Sequence, residues 1–203
     1  MSNRRRAGLV MMVIGIMTVA AGLGLGAYNL WDDYRAGLEA GAELEAIVQY
    51  QEEAIGSNLF SIPEPDQEMP VVEIEENGYI GTVSIPAINI KLPVHEIWNL
   101  ALLKTAPCRY KGSAYQGNLI ICAHNYATHF GRLKNLLPGD EVVFTDMDGN
   151  VFRYAVKKKE TLAGSAVEEM ERGDWDLTLF TCTIGGRTRV TVRCDLLMEG
   201  DGA

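Results

Sequence analysis

The chain has 203 residues, of which 47% are hydrophobic and 22% charged, a composition typical of folded proteins and not of disordered or collagen-like ones. The formal net charge is −9, which argues against a nucleic-acid partner, because proteins that bind phosphate backbones neutralise them with lysine and arginine. This length accommodates one domain of ordinary size and a smaller appendage.

The first feature along the chain is an apolar run over residues 8–27, which carries no charged side chain. About twenty apolar residues in a helix cross a bilayer core, whereas a cleaved secretory signal has a shorter core of about 7–15 residues. Arg4, Arg5 and Arg6 precede the run, and such residues stay on the cytoplasmic side. We therefore expect residues 1–30 to form a signal-anchor that crosses the cell membrane once and leaves the remaining chain extracytoplasmic.

The next segment, residues 31–75, predicts a helical stalk and a linker. Residues 34–55 place apolar side chains at helical spacing on one narrow face (Leu44, Ile47, Val48 and Ile55), which favours a stalk over a core helix. Residues 61–70 contain three prolines and three acidic residues, which stiffen and extend a chain. We place the domain boundary at this linker, with a working domain over residues 76–203.

The sequence of the working domain predicts short strands separated by turns. Strands are expected at residues 79–85, 88–90, 118–123, 141–145, 151–156, 176–183 and 187–197, with short helices at 98–105 and 167–172. The sequence at 147–150, Met-Asp-Gly-Asn, is a strong hairpin signal. Many short strands with glycine and proline turns predict an all-β barrel or sandwich.

Cys182 ends one of these strands, and Arg189 begins the strand that returns across Gly185 and Gly186. A tight hairpin would bring the two residues onto neighbouring strands. An arginine near a thiol favours the thiolate and is able to bind a developing oxyanion. The four cysteines (Cys108, Cys122, Cys182 and Cys194) include no Cys-x-x-Cys pair, so neither a zinc site nor a dense disulfide framework is indicated.

His124 is the one of three histidines that follows a buried strand directly, where the chain enters a polar loop. A histidine and a cysteine at the ends of two strands fit nucleophilic catalysis. A histidine in such a place is, however, more often structural than catalytic. The residues alone leave both interpretations open.

The segment Thr178-Leu179-Phe180-Thr181-Cys182 resembles the Thr-Leu-x-Thr-Cys signature of the sortase family. Other segments resemble family features in the same order: the strand that delivers the family's histidine (118–124), the segment after it (133–140) and the strand that begins with the essential arginine (189–193). Ala123 stands where the family often has glycine. Arg187 and Arg193 compete with Arg189, but Arg189 best matches the family spacing.

The resemblance implies an eight-stranded β-barrel and a cysteine transpeptidase. In such an enzyme Cys182 attacks the threonine carbonyl of a Leu-Pro-x-Thr-Gly-like sorting motif, His124 acts as acid and base, Arg189 holds the oxyanion, and Thr181 contacts substrate. The expected partners are secreted proteins with a sorting signal and a cell-wall amine in a Gram-positive bacterium. No cofactor is implied, and no ligand spacing in the sequence supports calcium.

Several alternatives stay open at this level. A pilin-polymerising sortase is disfavoured, because no second hydrophobic segment and no aromatic lid motif is present, and a class D-like sortase fits better. A non-catalytic, anchored β-barrel that binds a wall component is the alternative from another class. Other cell-wall cysteine enzymes fit less well, because their local motifs are missing around Cys182. A disulfide between Cys122 and Cys194 is conceivable.

Overall fold

A computed structural model describes residues 3–57 and 63–197 of the chain. Two compact units are present, residues 1–35 and residues 36–203, and each is described by itself. Residues 61–62 of the predicted linker, and the side chains of the arginine cluster at 4–6, lie outside the described residues.

Helix α1 covers Asn3–Ser57 and contains both the apolar run and the helix predicted over residues 34–55. Within the first unit the apolar side chains are exposed, for example Leu9 at 56% and Ile16 at 61%. The helix is long and apolar enough to cross a membrane, with a mean hydropathy of 2.2 in its apolar window. The candidate membrane span is given by Ala7–Ala54, which contains the predicted run at residues 8–27.

The second unit is built around a closed β-barrel. Its strands are β1 (Val72–Ile74), β2 (Asn77–Ile85), β3 (Ile90–His95), β4 (Cys108–Lys111), β5 (Leu119–Ala123), β6 (Glu141–Asp146), β7 (Val151–Ala163), β8 (Leu177–Cys182) and β9 (Thr188–Leu196). The hydrogen-bonded order is β1-β2-β3-β4-β5-β8-β9-β7-β6, and β6 pairs back onto β2. Strands β2 to β9 thus close an eight-stranded barrel, as predicted, and β1 is a short addition to β2.

The barrel closes because its strands carry an apolar face toward one core. On β5 and β8, Leu119, Ile121, Leu177 and Leu179 are fully buried, and Val192 joins them from β9. Alternate side chains of a strand point to opposite faces. The other face of β8 and β9 is therefore free to build a site.

Besides β1, which was not predicted, strands β3, β4 and β7 differ from the sequence prediction. A strand was expected at residues 88–90, whereas strand β3 begins at Ile90 and runs through Pro93 to His95. On one side β3 pairs with β2 along its length, and on the other side it pairs with β4 only at His95. Pro93 has no N–H to donate, and on the β4 side there is no ladder at Pro93 for it to interrupt. Strand β4 was not predicted. Strand β7 extends to Ala163 instead of ending near residue 156, because it pairs along the whole of β9.

Residues 36–54 of helix α1 pack onto the barrel within the second unit. Ala36, Ala40, Ile47 and Gln51 are buried, and Gln51 Nε2 donates to the carbonyls of Thr145 and Asp146 at 3.0 and 2.8 Å. Of the predicted face, Ile47 is buried, Leu44 and Val48 are half-buried, and the side chain of Ile55 lies outside the described residues. The short helix α2 (Val167–Glu171) agrees with the prediction, and residues 102–104 form one 3₁₀ turn within the predicted helix at 98–105.

Candidate active site

Strands β8 and β9 form the hairpin that carries two of the predicted site residues. Cys182 pairs directly with Arg189 across the two strands. The turn between them places Gly185 and Gly186 at φ of 84° and 70°, a left-handed region that favours glycine. The hairpin predicted from the glycine pair therefore forms, and it brings the thiol and the guanidinium onto one face.

Arg189 is held by the turn of its own hairpin. Its Nη1 donates to the carbonyls of Gly186 and Thr188 at 2.8 and 3.1 Å. The side chain is half-buried, so other N–H groups of the guanidinium keep access to the cleft. Of the two competing arginines, Arg187 is exposed in the turn, and Arg193 is 2% exposed and lies further along β9. Arg189 is the arginine that lies opposite Cys182.

Strand β5 delivers His124 to the same end of the barrel. It runs parallel to β8, with Ala123 opposite Thr181, so the next residues, His124 and Cys182, lie side by side where the two strands end. The His124 ring is half-buried and packs against Tyr126 with centroids 4.8 Å apart. The chain then turns sharply, because the amide of Phe130 donates to the His124 carbonyl at 3.2 Å.

Thr181 joins these two strands from the opposite face. It is 3% exposed, and its Oγ1 donates to the carbonyl of Ala123 at 2.8 Å. This hydrogen bond fixes the residue before His124 to the residue before Cys182. The substrate contact predicted for Thr181 stays a prediction, and the hydroxyl bond in the structure is to the backbone.

A cleft of about 290 Å³ opens beside Cys182 and Arg189. Its lining is largely apolar and comes from the loop before β4, from β4, β5 and β8, and from α2 with the segment before it. Three of the lining side chains stack in sequence: Trp98 on Tyr110 with centroids 6.0 Å apart, and Tyr110 edge-on to Phe180 at 5.3 Å. Such a cleft suits an extended peptide with apolar side chains.

The sequence did not point to the residues that line this cleft. Trp98, Tyr110 and Met170 come from separate elements, and only their meeting in space gives them a common role. Phe180 lies inside the signature pentapeptide, at the position where the family pattern is undefined. It stands two residues before Cys182 on one strand, so both side chains lie on the same face, and this spacing was the one signal in the sequence that Phe180 belongs to the site.

The remaining cysteines are buried free thiols. Burial raises the pKa of Cys108 and of Cys194 to about 12, and it raises the pKa of Cys122 further. Cys122 lines the cleft, whereas Cys194 belongs to the barrel core. Because they lie on opposite faces of the sheet, the structure holds no disulfide between them. Cys182, by contrast, is partly exposed.

Within residues 3–57 and 63–197, no group of three or more histidine, cysteine, aspartate or glutamate side chains is placed to hold a metal ion. The polar groups of Cys182 and Arg189 line the cleft, and His124 comes directly after the end of the neighbouring strand β5. A thiol with an imidazole and a guanidinium at hand is equipped for acyl transfer.

Comparison with known proteins agrees with this chemistry. The sortase domain family matches residues 83–197. The chain is 23% identical to Sortase A of Bacillus anthracis over 190 residues, which covers 89% of both chains.

Solved sortase structures share the fold. Sortase A from Corynebacterium diphtheriae superposes with a TM-score of 0.55 at 20% identity, covering 87% of this chain and 95% of that one. A Sortase D5 transpeptidase from Clostridium perfringens gives 0.53 at 24% identity, covering 62% and 83%. Sortase C1 from Streptococcus suis gives 0.52 at 25% identity, covering 59% and 73%.

Proposed function

Since this chain belongs to the sortase family of cysteine transpeptidases, we propose that it cleaves a Leu-Pro-x-Thr-Gly-like motif near the C-terminus of secreted proteins and transfers them to an amine of the cell wall. The observation that carries the proposal is how strand β8 pairs with β9 on one side and with β5 on the other. Cys182 lies opposite Arg189 on β9, beside one apolar cleft, and His124 directly follows Ala123, which pairs with Thr181, the residue before Cys182.

In the first step the thiolate of Cys182 attacks the threonine carbonyl of the bound motif. The amide C–N bond breaks, a thioester forms, and His124 as imidazolium gives its proton to the departing glycine amine. Arg189 donates N–H bonds to the oxygen on which negative charge develops. Because the turn of the hairpin already holds the guanidinium, little reorganisation is needed in the transition state.

In the second step the incoming amine attacks the thioester. The C–S bond breaks, a new amide forms, and neutral His124 accepts the proton that the amine loses. The cycle ends with the thiolate and imidazolium with which it began. The proposed reaction uses neither metal nor redox cofactor, because the thiol, the imidazole and the two substrates supply every atom and proton.

The N-terminal helix fits the place of this reaction. Residues 8–27 are exposed, apolar and long enough to cross a membrane, and sortases are cell-surface enzymes. We propose a single crossing, with the arginine cluster in the cytoplasm and the barrel outside. Unprocessed substrates and lipid-linked wall precursors would then meet the cleft at the membrane surface.

The acceptor defines the subclass. We propose a wall amine and a class D-like enzyme, in line with the short connection between His124 and Cys182. Neither a pilin polymerase nor a non-catalytic binding module is favoured, the latter because the cysteine, histidine and arginine are all present in one site.

A ligation assay tests the proposal. The full-length chain in detergent is mixed with peptides that carry variants of the sorting motif and with a labelled oligoglycine or meso-diaminopimelate amine. We expect one motif class to give a ligated product with loss of the residues after threonine, and no product from Cys182→Ala or His124→Ala. A complete lack of ligation and hydrolysis across motifs and amines, with a correctly folded chain, would refute it.

A further inference from the structure

Arg193 is a fully buried cation that the proposed reaction does not use. It is 2% exposed and pairs with Thr178 across the β8–β9 hairpin, two alternate positions from the Cys182–Arg189 pair. Because alternate residues share a face, Arg193 lies on the same face as Arg189. A buried charge is costly unless it is fully paired, so its partners indicate what it is for.

The partners of Arg193 converge on helix α2. Its Nη1 donates to the carbonyl of Met170 at 2.7 Å and its Nη2 to the carbonyl of Glu169 at 2.6 Å. These carbonyls lie in the last turn of a five-residue helix, where no intrahelical N–H reaches them. The planar guanidinium suits this task, because it presents several donors in a fixed fork.

The same guanidinium is fixed to the barrel on its other sides. Nη1 also donates to Thr178 Oγ1 at 3.0 Å, and Nε donates to Glu160 Oε1 at 3.0 Å on β7. Glu160 is further paired with Lys158 Nζ at 2.6 Å. Arg193 therefore joins strands β7, β8 and β9 to α2 in one buried hydrogen-bonded cluster.

Helix α2 forms one wall of the cleft. Val167 and Met170 line it, and Met170 packs into the hairpin, where its sulfur accepts from Thr191 Oγ1 at 3.8 Å. The ionic contacts of α2 are Lys111 with Glu171 at 2.5 Å and Arg172 with Glu168 at 4.0 Å, but Lys111 and Arg172 are 59% and 73% exposed. An exposed ion pair contributes little to stability. The buried arginine is the stronger attachment.

We propose that Arg193 is a positioning residue, which clamps α2 onto the β8–β9 hairpin and so keeps the Val167 and Met170 wall of the cleft in place to bind the sorting peptide. Thr178, the first residue of the signature pentapeptide, serves the same clamp as an acceptor on β8. This inference rests on the proposed function for its substrate. The attachment of α2 to Arg193 stands on the hydrogen bonds alone.

The test uses the full-length chain in detergent with the conservative variant Arg193→Lys. A lysine keeps the charge but cannot hold both carbonyls and Glu160 together. We expect KM for the sorting peptide to rise about tenfold while kcat changes less than threefold, and the rate of Cys182 alkylation by iodoacetamide to stay within twofold. Thr178→Val, which removes one acceptor at nearly constant shape, should raise KM two- to fivefold.

Hydrogen exchange provides a readout that needs no substrate. The Met170 amide donates to the carbonyl of Ala166, so it reports on α2 directly. Arg193→Lys should speed exchange over residues 166–172 at least tenfold and leave β5 unchanged. The matched control is Lys111→Met, which removes the exposed contact with Glu171 of the same helix and should change exchange and KM less than twofold.

The experiments distinguish a failure of this inference from a failure of the proposed function. Unchanged exchange over α2 in a folded Arg193→Lys, or a fall in kcat and alkylation equal to the rise in KM, would overturn the inference. If the wild-type chain processes no peptide, the proposed function fails, and the exchange and alkylation measurements still decide whether Arg193 positions α2. If Arg193→Lys does not fold, Thr178→Val decides by the same criteria.

Discussion

Cys182 and Arg189 are directly opposed on the two strands of one hairpin, with the guanidinium fixed to the turn through the carbonyl of Gly186. Two side chains in this relation move together, since a shift of the hairpin carries both. The arrangement therefore places a nucleophile and a cationic donor on one rigid hairpin, and electrostatic stabilisation of a transition state requires donors that are held in place beforehand.

Replacement of this arginine tests its assigned role. Arg189→Ala should lower kcat for peptide ligation about 10²–10³-fold, the usual cost of losing an oxyanion donor, while KM changes little. Steady-state kinetics with a sorting peptide give both parameters. The control is Arg187→Ala, an exposed arginine two residues away in the turn, which should keep wild-type kcat. More than a tenth of the wild-type kcat in a folded Arg189→Ala would contradict the role.

Thiol reactivity should single out Cys182 among the four cysteines. Burial raises the pKa of Cys108 and Cys194 to about 12, so these thiols stay protonated and inaccessible near neutral pH. At pH 7.5, limiting iodoacetamide should add one group per native chain, at Cys182, and four after denaturation. Intact and peptide mass spectrometry locate the label. Labelling of Cys122 at a rate comparable to Cys182 would show that the cleft is open beneath the site.

The hydroxyl of Thr181 should act through position and not through substrate contact. Thr181→Val leaves the buried carbonyl of Ala123 without this donor, which we expect to cost about 1–3 kcal/mol of unfolding free energy. Because His124 follows Ala123, kcat should fall while KM holds. Thr161→Val, on an exposed position of β7, is the matched control. A rise in KM alone would instead support the substrate contact predicted from the family.

Glu43 introduces a pH dependence where helix α1 packs on the barrel. Burial, with added repulsion from Glu39 and Glu75, raises the pKa of Glu43 from 4.5 to about 7, against the lowering effect of a hydrogen bond with Tyr79. The folded state thus binds this proton more tightly than the unfolded state. The resulting stability is complete below about pH 4.5 and is lost as the pH rises through 7.

The variant Glu43→Gln should not lose this stability as the pH rises, because glutamine does not ionise. At pH 8 it should be more stable than wild type by about 1–3 kcal/mol, and the difference should shrink toward pH 5. His95 lies 3.7 Å from Glu43 Oε2, and burial lowers the pKa of His95 to about 4. Its own effect on stability has the opposite sense and enters below pH 6.5, so the decrease of the difference is followed from pH 8 down to that pH. Thermal unfolding of both proteins at a series of pH values measures the stability difference. Glu45→Gln, exposed on the same helix, is the control, and an equal effect there would refute the assignment.

The strands that build the site were predictable because their patterns are strong. Residues 118–123 are a compact apolar run, residues 176–183 have a strong strand propensity, and the glycine pair at 185–186 marks the turn. The signature pentapeptide then named Cys182 and ordered His124 and Arg189 around it. The parallel register of Ala123 with Thr181 was not predictable, because it joins strands 58 positions apart.

Other elements escaped prediction for local physical reasons. Strand β4 spans four residues, and its Arg109 and Lys111 look like a loop. The extension of β7 carries exposed lysines that satisfy no apolar alternation, yet β9 pairs with all of it. The buried face of α1 includes alanines and Gln51, which hydropathy does not distinguish from a solvent face.

The central claim is that Cys182 forms a covalent acyl intermediate with a sorting motif, and intact-mass spectrometry tests it most directly. The full-length chain is incubated with the productive peptide without an amine acceptor and quenched in acid. We expect a mass increase equal to the peptide up to its threonine, located at Cys182, absent in Cys182→Ala and discharged by added amine. A chain that turns over the peptide but carries no adduct, or carries it on another residue, would contradict the account.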